Sequence, residues 1–103
     1  MAAVIITYQL AVGVTREAFE EWVRTKDQPA MRSLRRVASF DTYRVTGLLL
    51  GEGEPSVRYV ELFDIPDLDG FTGEDMPGDV VQGVMGSFMG LVKDPEFLIA
   101  EKL

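Results

Sequence analysis

Apolar and polar positions alternate along this chain in two rhythms, one of period two and one of period 3.6, and each switch between them marks an element. Residues 3–10 (AVIITYQL) are β-branched and apolar on both parities until the last positions, which predicts a central strand covered on both faces. Gly13 turns the chain and Thr15 is placed to cap a helix, with Glu17 at the positive end of its dipole. Val14 and Phe19 occupy the two positions of a hydrophobic staple. The helix is expected over 16–26, with Ala18, Phe19, Trp22 and Val23 on one face and Glu17, Glu20, Glu21 and Arg24 opposite; Glu20 and Arg24 are spaced i, i+4. Asp27, ahead of Gln28-Pro29, ends it, because a residue before proline is pushed out of the helical region. A short helical turn follows through Met31 to Leu34.

Strands are expected over 37–50 and 57–65, with residues 51–56 (GEGEPS) as the hairpin loop. Pairing Gly51 with Glu54 sets Thr46 opposite Tyr59, Arg44 opposite Glu61 and Thr42 opposite Phe63, which puts Arg, Glu and Tyr on one face. A slip of one residue would send them to the other side. The acidic, Gly- and Pro-rich stretch 66–78 (PDLDGFTGEDMPG) reads as a loop with at most a turn of helix. Its Asp67-Leu-Asp69-Gly70 lacks the remaining acidic ligands of a calcium loop. Asp79 caps a second helix to about residue 92, with Val81, Val84, Met85, Phe88 and Val92 on one face. Gly83, Gly86 and Gly90 share the other; such a stripe suits a closely packed backbone or, alternatively, a loose helix acting as a lid. Asp94-Pro95 breaks that helix, and residues 96–103 form the last strand.

Composition narrows the chemistry. The 103 residues suffice for one core, so residues 1–103 are read as one domain. A net charge of −7 repels phosphate backbones and anionic lipid, which argues against nucleic acid or a membrane surface as partner. The cluster Lys26, Arg32, Arg35 and Arg36 is the local exception, either a solvated surface or a holder for one carboxylate. With no cysteine and no histidine, thiolate nucleophiles, disulfides, Cys/His zinc sites and His-ligated haem are excluded, and any acid-base work falls to Asp, Glu, Tyr or Lys. No apolar run approaches the roughly 20 residues that span a bilayer, and a cytoplasmic location is expected.

Strand, helix, strand, strand, helix, strand is the βαββαβ order of an α+β, ferredoxin-like fold, a four-stranded antiparallel sheet with helices on one face. The other sheet face needs a cover. A second copy of the chain is the simplest one, giving a homodimer with the two sheets packed as a dimeric α/β barrel.

The residues Trp22, Asp27 and Pro29, Ser39-Phe40, Arg44-Val45-Thr46-Gly47, Tyr59-Val60-Glu61, Asp69-Gly70-Phe71, Phe97 and Glu101 together resemble the RedY-like (HapK-like) group of the dimeric α/β-barrel proteins. The resemblance covers nearly the whole chain. It implies a cofactor-free part in the condensation or cyclisation of a planar heteroaromatic intermediate, as in prodiginine or bisindole biosynthesis. Related barrel enzymes often carry His where this chain has Asp27, so the resemblance also implies a carboxylate in place of a histidine base.

The candidate catalytic groups are therefore Asp27, Glu61 and Arg44, and the candidate substrate contacts Trp22, Tyr8, Pro29, Phe40, Tyr59 and Met85. Each has a plainer reading. Trp22 is either the largest core residue of its helix or a wall for a flat ligand. Asp27 is either a helix terminator or a carboxyl whose pKa burial raises into the range useful for proton transfer. Arg44 and Glu61 are either a cross-strand ion pair or, if they face the helices, an oxygen holder and a proton shuttle. Both tyrosines are either packed rings with wet hydroxyls or hydrogen-bond donors. Three functions remain open on a small aromatic substrate: a cofactor-free cyclase or condensation catalyst, a cofactorless monooxygenase with Trp22 and a tyrosine near the oxidised carbon, and a non-catalytic dimeric carrier. No cofactor and no metal is expected.

Overall fold

The computed structural model describes residues 2–103. Its strands are β1 (Ala2–Leu10), β2 (Ser39–Arg44), β3 (Tyr59–Asp64) and β4 (Val92–Glu101), forming one antiparallel sheet in the order β2-β3-β1-β4. That order and the βαββαβ sequence define the ferredoxin-like α+β fold. Its helices are α1 (Arg16–Trp22), α2 (Gln28–Arg32), the single turn α3 (Leu68–Gly70) and α4 (Asp79–Leu91). β1 is central, as its two-sided apolar pattern requires. Val4, Ile6 and Tyr8 point toward the helices and into the core with Phe63 and Tyr59. Ile5 and Thr7 point to the open face.

Thr15 caps α1, its hydroxyl accepting from the Ala18 amide at 3.2 Å. The helix does not stop at Asp27. It widens into a π-helical turn over Val23–Asp27 and continues as α2, with Asp27 itself in helical conformation. A π turn opens the ladder by one residue just ahead of Pro29, which relieves the clash of the proline ring with the preceding turn. The chain therefore passes Pro29 as one bent helical run, and the expected break at Asp27 is absent.

The β2–β3 pair is shorter than expected and shifted by two residues. Thr42 lies opposite Glu61, Arg44 opposite Tyr59 and Phe40 opposite Phe63. A shift of two preserves the face of every side chain, so Arg44, Glu61 and Tyr59 do share one side although Arg44 and Glu61 are not partners. Residues 45–58 form a long connection in which Gly51 and Gly53 have positive φ, and Leu49 is 97% exposed.

Two further expectations are corrected. Residues 68–75 are helical rather than loop: α3 runs into a second π turn, Phe71–Asp75, and Asp67 caps it by accepting from the Gly70 amide at 3.0 Å. β4 begins directly after α4 and runs through Asp94-Pro95. Asp94, at φ 54°, takes up the kink, with a register shift against β1 between Thr7 and Gln9. β4 is an edge strand, so the missing Pro95 amide costs no ladder bond to a second neighbour. The cap of α4 is Gly78, with Asp79 in its first turn. Gly83, Gly86 and Gly90 face open space within the chain, so nothing packs closely on that stripe.

Candidate functional site

The layer between sheet and helices is filled at one end and hollow at the other. At the filled end, Tyr8 stacks on Tyr59 (centroids 5.7 Å apart) and meets Phe19 and Phe88 edge-on, while Trp22 leans against Phe19 and Phe88. Phe40 stacks on Phe63 at 4.2 Å. These rings spend their faces on one another. Trp22, Tyr59 and Phe40 consequently lie outside the lining of the hollow, and Pro29 is exposed on the helix surface. Their expected place around a ligand is not where the structure puts them.

The hollow is a cavity of about 360 Å³ floored by Val4 and Ile6 of β1 and by Glu61 and Phe63 of β3. Asp27 and Met31 form one wall, and Val81, Val84, Met85 and Phe88 of α4 another. Leu68, Phe71, Thr72 and Met76 close it from the 66–78 segment, and Phe97 and Ile99 of edge strand β4 stand at the rim. Pockets of this size hold compact, largely apolar ligands placed by a few polar groups.

Among the described residues, three with polar side chains line this surface: Asp27, Glu61 and Thr72. Asp27 is 3% exposed and Glu61 2%. Glu61 accepts a hydrogen bond from the Tyr8 hydroxyl at 2.5 Å, which fixes its carboxyl plane over the floor. The Asp27 Oδ2 atom has no hydrogen-bond partner among the described residues. A buried polar atom left unsatisfied costs about 1–3 kcal/mol, and the residue that carries it lines the cavity wall.

Burial sets the chemistry of both groups. It pushes the Asp27 carboxyl up to about 7. Glu61 rises to about 8, first through burial and then through the nearby Asp27, with the Tyr8 hydrogen bond opposing the rise. Near neutrality the pair thus holds protons that it can give and take back. Tyr8 is driven upward by burial and by Glu61 and stays a neutral donor.

Arg44 belongs elsewhere. Its guanidinium forks onto Glu20, Nε to Oε2 at 2.6 Å and Nη2 to Oε1 at 2.7 Å, and the Tyr59 hydroxyl donates to the same carboxylate at 2.7 Å. The Arg44 bond, aided by Tyr59, holds the Glu20 carboxyl down to about 2. Arg44 lines a separate shallow groove with Arg16, Arg58 and Thr46, away from Asp27 and Glu61. Of the nine candidate residues, Asp27, Glu61 and Met85 line the cavity, Tyr8 sits behind Glu61, and the other five do not meet there.

Residue-level reading missed the 66–78 wall and its anchor. Arg36 reaches Asp67 (3.2 Å), Glu74 (2.7 Å) and Asp75 (3.4 Å), tying that segment to the end of α2. A signal was present in the three-residue spacing of Leu68 and Phe71 behind a capping Asp67. Glu20 as the partner of Arg44 had no local signal, since helix-to-strand docking alone brings the two together.

A four-stranded antiparallel sheet in this order with helices on one face places the protein in the ferredoxin-like fold class, which it shares with several solved structures. The chain belongs to the family described as REDY-like protein HapK, whose profile matches residues 2–103. The crystal structure of HapK from Hahella chejuensis is similar over 100% of this chain and 93% of that one, at 28% identity and a TM-score of 0.81. At3g17210 from Arabidopsis thaliana shares the fold at 9% identity and a TM-score of 0.83, covering 100% of this chain and 96% of that one. A dimeric ferredoxin-like protein of unknown function from Thermobifida fusca does so at 14% identity and a TM-score of 0.73, covering 98% and 90%. No curated protein matches the chain.

Proposed function

We propose that the protein is a cofactor-free acid-base catalyst that closes or joins the rings of a planar indole- or pyrrole-derived intermediate in secondary metabolism, acting as a homodimer. The observation that carries this reading is the pairing of Asp27 and Glu61 on one apolar cavity, both buried and both titrating near neutrality. The cavity holds reactive rings together and keeps water away, while one carboxyl accepts a proton and the other returns it. The step is redox-neutral. Oxidation is less well served, because Trp22 and Tyr59 are packed into the aromatic layer and away from the ligand space.

The test is turnover of indole- and pyrrole-derived precursors by the purified protein, followed by mass. A product isobaric with its precursors, or lighter by water, is expected, and Asp27→Asn and Glu61→Gln each lower kcat by about 10²–10⁴-fold. A product heavier by one oxygen, or saturable binding without turnover, would overturn it in favour of a monooxygenase or a carrier.

A further inference from the structure

The cavity of the proposed catalyst also carries a charge preference, and the following step rests on that reading of the pocket. Its lining contains two carboxyls and a threonine hydroxyl but no lysine or arginine, and the chain has no histidine. Three arginines around this layer are already committed, Arg44 to Glu20, Arg36 to Asp67, Glu74 and Asp75, and Arg32 to the Phe40 carbonyl and Asp41. An anionic ligand would therefore enter an apolar space with no countercharge, beside groups that become negative on ionising. A donor-bearing ligand meets the opposite situation. The Asp27 carboxyl, nine-tenths buried and more, lines the wall with its Oδ2 unpartnered among the described residues, and Glu61 has a second oxygen not engaged by Tyr8.

We infer that this pocket selects a planar heteroaromatic carrying a basic ring nitrogen, takes it as the protonated cation, and discriminates against ligands that carry a carboxylate. The proton comes from the carboxyl pair: a carboxyl O–H bond breaks, the ring N–H bond forms, and the product is a carboxylate–heteroaromatic cation pair held by a charge-assisted hydrogen bond. The titratable groups that face the pair are Tyr8 on β1 and, behind it, Tyr59 on β3, both neutral donors. The α4 and β4 walls bring none. Cation formation is thus balanced within the site, without a third ionised group.

Three fluorescent probes of one tricyclic shape test this on the full chain: norharmane, with a basic ring nitrogen; carbazole, without one; and carbazole-3-carboxylate. In buffer alkaline enough that free norharmane is mostly neutral, norharmane should bind about tenfold or more tighter than carbazole and emit as its cation when bound. The carboxylate should bind about tenfold or more weaker than carbazole. The Asp27→Asn, Glu61→Gln double variant should erase the norharmane advantage over carbazole and bind norharmane in its neutral form, with an unchanged far-UV circular dichroism spectrum certifying that it is folded. Should the double variant fail to fold, the ranking and the bound emission in the unaltered protein decide alone. Carbazole binding with norharmane bound neutral and no tighter would overturn the inference and leave the cavity reading standing. If none of the three binds, both fall.

Discussion

Asp27 lines the cavity with one carboxyl oxygen that no described residue satisfies, and the energetic consequence follows from its titration. Its carboxyl sits at about 7 in the folded state against 3.8 for the free group. Folded protein therefore binds more protons than unfolded chain between those values, so this group's contribution to stability falls as pH rises through that window and is fully lost above about 7. Asp27→Asn removes the penalty. Relative to the unaltered protein it should be near neutral at low pH and stabilising at alkaline pH by up to about 4 kcal/mol, as measured by urea unfolding on both sides of the window. Equal effects at both ends would mean that Asp27 is not buried as an acid. The Tyr8 hydroxyl acts the other way on Glu61, favouring its ionised form. Tyr8→Phe should move the Glu61 titration upward from about 8, visible by carboxyl-carbon NMR. That Asp27 and Glu61 would both border the hollow was legible from acidic residues set among apolar ones. That Arg44 would abandon Glu61 for Glu20 was not, because a shift of two residues in the β2–β3 register leaves the hydrophobic pattern unchanged.

At the scale of elements, the two π turns do the positioning. One places Asp27 on the cavity wall beyond α1, and the other turns Phe71 inward beyond α3. Neither was legible, since a single π turn adds one residue and shifts the phase of the helical pattern without a residue signature of its own, and Gln28-Pro29 and residues 66–78 both read as breaks. The long, strongly periodic elements, β1 and α4, were read correctly because burial on one or both faces leaves a repeated signature. The cavity wall at 68–76 depends on the Arg36 clasp, so Arg36→Ala should speed amide exchange at Phe71 and Met76 while leaving β1 and β3 unchanged, and added salt should mimic it. Arg44→Ala, by contrast, should lift the Glu20 carboxyl from about 2 back toward its ordinary 4.5 without touching exchange in that wall.

For the molecule as a whole, the sheet face away from the helices is the outstanding surface. Leu62, Ile5 and Leu98 form a row across β3, β1 and β4, and Leu62 is 39% exposed, Leu98 42% and Tyr43 on β2 53%. An exposed apolar face of this kind is where the second copy of the proposed homodimer would seat. The proposed homodimer makes a clear expectation: the protein sediments as a dimer, and Leu62→Arg with Tyr43→Arg, both on the open sheet face and outside the cavity lining, yields a folded monomer whose carbazole affinity is retained. A monomer in the unaltered protein at micromolar concentration would remove the homodimer from the proposal.

The long connection of residues 45–58 carries a consequence of its own. Leu48, Leu49 and Leu50 project from it with 44%, 97% and 85% of their surface in solvent, between strands whose backbone pairing ends at Arg44 and resumes at Tyr59. Thermolysin, which cuts before bulky aliphatic residues, should nick the chain there first, leaving two fragments that stay together through the ladders β3 makes on both sides. Resistance of that oily tip to digestion would instead betray a neighbour resting upon it.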